Sequence, residues 1–217
     1  MTARCVAVLG GSFDPVHRGH VALAGYFLEL LEPDELRIIP AGNPWQKDPL
    51  QASPADRVAM LECAFGAHNG RLKIDQQEIQ RHTASYSIDT LRALRAELGP
   101  QTSIALLIGA DQLQKLHTWR DWQQLFDMAH VCAASRPGFA LDAAHMDAQV
   151  AAQFMQRAGS VEQIRRTPFG HSLIGNGLAV DISATEIRAA LQTGGQPETL
   201  LPPAVLDYIQ QHHLYQD

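Results

Sequence analysis

The chain has 217 residues, 46% of them hydrophobic and 18% charged, which is typical of a folded globular protein and argues against a disordered one. Its formal net charge of −6 argues against a nucleic-acid-binding protein, since such proteins usually carry a basic excess. No signal peptide precedes the first apolar run, and no run approaches the ~20 residues of a membrane helix, so we expect a soluble protein with no nucleic-acid and no membrane partner.

The first motif of the chain joins an apolar run to a helical pattern. Residues 5–9 are continuously apolar and predict a buried parallel strand, and Gly10 and Gly11 predict a sharp turn that lets the backbone approach a ligand. Apolar spacing predicts a helix from about Arg18. His17 and His20 then share one face at the N-terminus of that helix, where free N–H groups attract anions. The motif as a whole predicts a phosphate site, although a bare His-x-x-His pair also occurs by chance or as a metal site.

Strand and helix patterns alternate along the rest of the chain. Further strands are predicted at 35–40, 71–75, 103–109 and 130–135, and a hairpin at 172–180 around Asn176-Gly177. Helices are predicted at 54–66, 88–98, within 141–158, at 183–191 and at 203–212.

This alternation predicts an α/β fold, with a Rossmann-like, doubly wound parallel sheet covered by helices on both faces and a C-terminal helical appendage. No linker interrupts the chain, so a single domain, 1–217, is expected, with an α/β core at 1–181 and the helical part at 182–217. Ligands of such sheets bind beyond the carboxyl ends of the strands. The segments predicted to converge there are 10–20 and 43–47 with Asp111, Trp119 and Arg136.

The cysteines bear on the cellular setting. Cys5, Cys63 and Cys132 are odd in number and widely spaced, and two of them lie in apolar, strand-like runs. This usage is typical of core thiols rather than a disulfide framework. The sequence therefore predicts a reducing, cytoplasmic location, and it makes no prediction of oligomeric state.

Two motifs together carry a family resemblance. G-G-S-F-D-P-V-H-R-G-H at 10–20, combined with I-S-A-T-E-I-R at 182–188, resembles the bacterial nicotinate-nucleotide adenylyltransferases of the nucleotidyltransferase superfamily. Shorter similarities lie at 85–87, 108–111, 118–119, 135–138 and 200–209, so nearly the whole chain is covered except about 141–167. The resemblance implies transfer of AMP from ATP to nicotinic acid mononucleotide, with Mg²⁺, giving deamido-NAD and pyrophosphate in NAD biosynthesis.

The same resemblance implies roles for the ATP side. His17 and His20 would contact the ATP phosphates, with His20 at the α-phosphate, and Arg188 would hold the β- and γ-phosphates. The predicted catalytic residues are His17, His20 and Arg188, and the predicted ATP-binding residues are Gly10, Gly11, Ser12, Phe13, His17, His20, Asp111, Ser183, Thr185 and Arg188. No metal-ligating side chain is predicted. Two local alternatives stay open: Ser183 and Glu186 also fit a plain capping box, and Asp111 also fits an N-cap.

Roles on the mononucleotide side follow in the same way. Trp119 would stack on the pyridine ring unless it is simply a core residue, and Lys47 and Arg136 would reach the nucleotide phosphate. The predicted mononucleotide-binding residues are Asn43, Lys47, Ser85, Tyr86, Ser87, Trp119, Arg120 and Arg136. The role of Arg120, a positive charge that favours a carboxylate over an amide, is inferred from its position after Trp119 and not from the resemblance. The chain departs from the usual family pattern in the N-P-W-Q-K loop at 43–47, at Ser135 and at Ala184.

The residue types fit this chemistry without a catalytic base. A phosphate monoester is already ionised near neutral pH, because its second pKa is ~6, so it can attack without losing a proton to the enzyme. Catalysis then depends on positioning and on stabilising charge. The alternatives are an adenylyltransferase for nicotinamide mononucleotide or another phosphorylated small molecule, and a non-catalytic nucleotide-binding regulator with the same fold.

Overall fold

A computed structural model describes residues 4–44, 50–66, 70–81, 83–135, 146–178 and 182–216. In these residues the strands are β1 Cys5–Gly11, β2 Glu35–Pro40, β3 Leu72–Ile74, β4 Ser103–Gly109, β5 His130–Ser135 and β6 Ser172–Asn176. The α-helices are α1 Arg18–Leu31, α2 Pro54–Phe65, α3 Gln77–Gln80, α4 Ser87–Leu98, α5 Ala110–Gln114, α6 Leu125–Met128, α7 Ala148–Gln156, α8 Val161–Arg166, α9 Ala184–Gln192 and α10 Pro203–Gln211. Two short 3₁₀-helices lie at Leu116–Thr118 and Trp122–Gln124.

The strands form one parallel sheet in the order β3-β2-β1-β4-β5-β6. The chain moves from β1 to β2 and β3 on one side, and then crosses to β4 on the other side of β1. The strand order therefore reverses between β1 and β4, and a crevice opens there at the carboxyl ends, which is where doubly wound sheets bind ligands. The predicted fold class is confirmed.

Both faces of the sheet are covered. Alternate residues of β1 point to opposite faces, so Ala7 and Leu9 belong to one hydrophobic cluster while Val6 and Val8 belong to the other. The first cluster includes buried residues of α1, α2, α8, α9 and α10, and we call this side of the sheet the α1 face. The second includes residues of α4, α5, α6 and α7, and we call it the α4 face.

The C-terminal helices complete the α1 face. Ile187 and Leu191 of α9 and Val205 and Ile209 of α10 are buried in the same cluster as Leu9 of β1. They therefore pack on the core rather than standing apart from it. We accordingly propose that 182–217 belongs to the same domain as 1–181.

One local prediction of structure was wrong, and another lies partly outside the described residues. In the hairpin expected at 172–180, residues 172–176 form β6, which pairs parallel with β5 with Ser172 opposite Val131, while residues 179–180 lie outside the described residues. The turn expected at Gly10 and Gly11 comes later, because β1 continues through both glycines and the backbone turns at Phe13, whose φ is 48°.

A buried histidine lies at the start of β5, away from the crevice. His130 is fully buried; its Nδ1 accepts the N–H of His171 at 3.1 Å, and its Nε2 lies 2.7 Å from the carbonyl oxygen of Thr167. These partners require the neutral ring with its proton on Nε2. Burial lowers the pKa of His130 to about 4 from the usual 6.5.

Candidate active site

The two motif histidines stack at the head of α1. Their ring centroids are 3.7 Å apart at an interplanar angle of 24°, and the edge of the Phe13 ring packs against His20 at 4.8 Å. The backbone N–H of His17 donates to Nδ1 of His20 at 3.3 Å, so the neutral His20 ring carries its proton on Nε2. His17 is buried and His20 is half-buried. The imidazoles are thus held in place before any ligand binds.

Gly19 makes room for this stack. A Cβ atom at Gly19 would lie 3.0 Å from Cε1 and Nδ1 of His17 and 3.5 Å from Cβ of Ile182. The glycine is therefore needed for close packing of the His17 ring. The contact with Ile182 also places the start of α9 directly beside the start of α1.

The α9 segment contributes Arg188 to the same turn. Nη1 of Arg188 donates to the backbone carbonyl of Asp14 at 2.7 Å, and Nη2 donates to Oγ1 of Thr185 at 3.3 Å. Ser183 takes the N-cap position of α9 but makes no side-chain capping hydrogen bond, so the capping-box interpretation of Ser183 and Glu186 was wrong. Two helix starts, two imidazoles and one guanidinium thus meet at one place, a donor set suited to a polyphosphate.

Sequence reasoning missed the residues that support this turn. The Asp14 carboxylate is buried and accepts the N–H groups of Gln51 at 2.8 Å and Ala52 at 3.1 Å. Arg57, fully buried on α2, donates from Nη1 to the carbonyl of Ser12 at 2.8 Å, while its Nε and Nη2 are buried without a hydrogen-bond partner. Burial lowers the pKa of Arg57, and the nearby Asp14 charge opposes that shift. The motif letters pointed to Asp14, but nothing local distinguished Arg57 from its neighbours on α2.

The residues predicted to bind the mononucleotide cluster where α4 starts. Ser85 precedes the helix, and its Oγ accepts the N–H groups of Gly42 at 3.0 Å and Asn43 at 3.2 Å, while its own N–H donates to the Asn43 carbonyl at 2.9 Å. The Ser85 hydroxyl also hydrogen-bonds the buried Glu78, whose pKa is raised by burial. Ser85 and Asn43 therefore tie the loop after β2 to the start of α4, and both lie at the predicted site.

Tyr86 and Ser87 form the helix start itself. The helix α4 begins at Ser87 with Tyr86 at the N-cap position, so its first backbone N–H groups lie at this end as predicted. Trp119 is half-buried, packs on the α4 face, and has a buried Nε1 without a hydrogen-bond partner. Both the stacking role and the core role predicted for Trp119 are compatible with this position.

Arg120 lies over the ring of Tyr86 and close to two carboxylates. Its Cζ is 4.7 Å from the centroid of the Tyr86 ring, and its nitrogens are 3.9 Å from carboxylate oxygens of Asp89 and Asp121. Two neighbouring carboxylates offset the charge that was predicted to select a ligand carboxylate. The backbone N–H groups at the start of α4 are a second set of donors there.

Asp111 lies at the carboxyl end of β4, on the other side of the crevice from Gly10 and Gly11. It is exposed and occupies the second residue of α5, whereas Gly109 takes the N-cap position, so the N-cap interpretation of Asp111 was wrong. Its Oδ2 accepts Nε2 of Gln112 at 2.7 Å. The remaining predicted site residues, Lys47 and Arg136, lie outside the described residues.

A small cavity lies on the α4 face, beside the start of α4. It has a volume of about 20 Å³ and is lined by residues of β1, β2, β4 and α4 with Glu78, among them Gly10, Ser87 and Thr90. A cavity of this size holds about one water molecule. Gly10 borders it because the missing side chain leaves the sheet edge open; a Cβ there would come no closer than 4.0 Å to the Ile39 carbonyl.

Comparisons with known proteins agree with this geometry. The cytidylyltransferase-like family model matches residues 8–190. A relative from Herminiimonas arsenicoxydans with the name "Probable nicotinate-nucleotide adenylyltransferase" is 65% identical over 98% of this chain and 97% of its own length. A relative of the same name from Laribacter hongkongensis is 42% identical over 97% of this chain and 94% of its own. The chain belongs to the nicotinate-nucleotide adenylyltransferase family.

The fold of this adenylyltransferase chain also resembles that of a solved structure from a distant organism. The match to the Plasmodium falciparum nicotinic acid mononucleotide adenylyltransferase complexed with NaAD has a TM-score of 0.74 and extends over 98% of this chain and 97% of the Plasmodium chain. Its sequence is only 17% identical, so this likeness supports the fold alone. Within the described part of the chain, no helix is long and apolar enough to cross a membrane.

Proposed function

We propose that the chain transfers AMP from ATP to nicotinic acid mononucleotide, releasing pyrophosphate and forming deamido-NAD. The observation that carries the proposal is the contact of the two motif segments, in which the head of α1 with His17 and His20 touches the start of α9 with Arg188. The full-length likeness to nicotinate-nucleotide adenylyltransferases supports the choice of mononucleotide.

The chemistry is one displacement at phosphorus. A phosphate oxygen of the mononucleotide forms a bond to the α-phosphorus of ATP as the bond between that phosphorus and the bridging oxygen to the β-phosphate breaks. Because the attacking phosphate is ionised near pH 7, no side chain has to remove a proton. The work of the protein is to align the two phosphates and to stabilise the charge of the transition state.

The described residues divide this work. His20, with its proton on Nε2, and His17 donate to the α-phosphate where charge develops, while Arg188, Thr185 and Ser183 hold the β- and γ-phosphates. The N–H of Arg18 donates to the Leu200 carbonyl at 2.9 Å and is therefore already used within the protein. Asp111 holds the ribose of ATP from the end of β4.

The nucleotide substrate brings its cation with it. In the described residues no group of three or more His, Cys, Asp or Glu side chains could hold a metal ion. We propose Mg·ATP as the adenylyl donor, with the cation bound to the phosphates of the substrate. A reducing, cytoplasmic location fits the free thiols of Cys5, Cys63 and Cys132, two of which are buried.

The test is pyrophosphate release with Mg·ATP and a panel of acceptors, together with chromatographic identification of the product. We expect pyrophosphate and deamido-NAD in equal amounts with nicotinic acid mononucleotide. Nicotinamide mononucleotide and 4′-phosphopantetheine are the comparison acceptors. Faster release with either of them, or binding of ATP without any release, would overturn the proposal.

A further inference from the structure

The C-terminal end of the chain reaches the turn that holds Arg188. Tyr215 is only 8% exposed, and its hydroxyl donates to Oδ1 of Asp14 at 2.7 Å across a sequence separation of 201 residues. The Asp14 carboxylate, itself 4% exposed, thus receives one hydroxyl in addition to the N–H groups of Gln51 and Ala52. These three donors leave the carboxylate little freedom to rotate.

The backbone of Asp14 is bound to Arg188. Its backbone carbonyl accepts Nη1 of Arg188 at 2.7 Å, and the carbonyl of Ser12, two residues earlier, accepts Nη1 of the buried Arg57 at 2.8 Å. Asp14 therefore links the two ends, since its carboxylate accepts the Tyr215 hydroxyl and its backbone carbonyl accepts Arg188. Because the carboxylate is held by three donors, it helps to fix the backbone of the turn on which Arg188 depends.

The conformation of the tail indicates that this contact is specific. After α10 the backbone turns back with φ values of 52° at His213 and 61° at Tyr215, in the left-handed region that bulky residues rarely adopt. The N–H of Leu214 donates to the Ile209 carbonyl at 3.0 Å, which fixes this reversal. Backbone strain of this kind persists only where surrounding contacts enforce it.

We propose that Tyr215 is a positioning residue for ATP, whose hydroxyl fixes Asp14 and thereby sets Arg188 in place for the triphosphate. The inference rests on the proposed function, because it uses the assignment of Arg188 to the ATP phosphates. Tyr215 itself touches no substrate in this scheme. Its hydroxyl acts on ATP affinity through two intervening groups, the Asp14 carboxylate and the Asp14 carbonyl.

The test is Tyr215→Phe, which removes only the hydroxyl, with Tyr208→Phe as the matched control. Tyr208 lies in α10, and its hydroxyl also donates to an aspartate, Oδ1 of Asp56, at 3.0 Å, but that aspartate is not part of the turn. Calorimetry measures the Kd for Mg·ATP, and steady-state assays measure the KM for each substrate. Thermal unfolding of both variants provides the stability control.

For Tyr215→Phe we expect the Kd and the KM for Mg·ATP to rise about tenfold, within the range of coupling through contiguous contacts, while the KM for the mononucleotide stays within about twofold. Tyr208→Phe should change none of these constants. In an Arg188→Ala background, Tyr215→Phe should have no further effect on the Kd, because the group through which it acts is gone.

Three results would overturn the inference: an unchanged Kd for Mg·ATP in Tyr215→Phe, an equal rise in both KM values, or a full additive effect in the Arg188→Ala background. The Kd does not require turnover. If the wild-type chain binds Mg·ATP but makes no deamido-NAD, the proposed function fails while the role of Tyr215 in ATP binding is still measured.

Discussion

Gly19→Ala adds one methyl group against the His17 ring. The new Cβ would lie 3.0 Å from Cε1 and Nδ1 of His17, closer than the 3.4 Å at which ordinary contact begins, so the His17 ring must move by a few tenths of an ångström. The ring is buried and stacked on His20 at 3.7 Å, so the displacement is passed to the second imidazole. The substitution therefore disturbs the two imidazoles proposed to bind the α-phosphate without removing either of them.

The expected loss follows from the size of this shift. A misplacement of 1 Å costs on the order of 10²-fold in rate, so a few tenths of an ångström should lower kcat about tenfold, or about 1.4 kcal/mol in activation free energy. Stability should change little, because the ~1 kcal/mol gained when a helical glycine becomes alanine offsets part of the ~1–3 kcal/mol cost of overpacking.

Gly25→Ala is the matched control in the same helix, since a Cβ there meets no atom within 4 Å. It should keep kcat unchanged and raise Tm by about 2–4 °C, the effect of ~1 kcal/mol in a domain of this size. The assay is pyrophosphate release at saturating substrates, with Tm from circular dichroism. An unchanged kcat in Gly19→Ala, or an equal loss in both variants, would refute the steric argument.

Three further predictions concern charge and protonation. His20→Ala should lower kcat by at least ~10² while the KM for ATP stays within a few-fold, and near-normal kcat in a folded variant would remove His20 from the mechanism. The chain should prefer nicotinic acid mononucleotide over nicotinamide mononucleotide by ~10² in kcat/KM, since backbone N–H donors suit a carboxylate. Arg120→Ala should change this ratio by less than about threefold, because the carboxylates of Asp89 and Asp121 flank the arginine. A ratio near one, or loss of the preference in Arg120→Ala, would contradict that account. The free energy of unfolding should fall by up to about 3 kcal/mol between pH 6.5 and pH 4. The reason is that His130 is protonated with a pKa near 6.5 in the unfolded chain but only with a pKa of about 4 in the folded chain. Urea titrations of the wild type and of His130→Gln should differ in their pH dependence only in this window.

The sequence was sufficient to predict most long elements. Apolar runs predicted β1 and β4, mainly apolar segments predicted β2, which ends at Pro40, and β5, and Ser53-Pro54 predicted the start of α2, where the Ser53 side chain accepts the Asp56 N–H. Helices such as α3 and α6 were missed because four residues are too few to show a period. The hairpin expected at 172–180 rested on the local signal Asn176-Gly177, whereas the parallel pairing of β6 with β5 is decided by distant residues and has no local signal.

Prediction of the site divided along the same line. His17, His20 and the start of α4 were placed correctly, since each depends on a short segment whose pattern is visible. The contacts of Asp14 with Tyr215 and of Arg57 with Ser12 join segments far apart in sequence, and no local pattern carries them. Of the two carboxylates beside Arg120, Asp121 is adjacent in sequence, whereas Asp89 comes from another helix and no local pattern pointed to it.

The two faces of the sheet bear on which substitutions could alter the choice of acceptor. His17, His20 and Arg188 lie on or beside α1 and α9, which pack on the α1 face, whereas Tyr86 and Trp119 pack with the α4 face, and so does α5, which carries Asp111. Under the proposed assignment, substitutions around Tyr86 and Trp119 can change acceptor choice while the stacked pair His17 and His20, on the opposite face of the sheet, keeps its geometry.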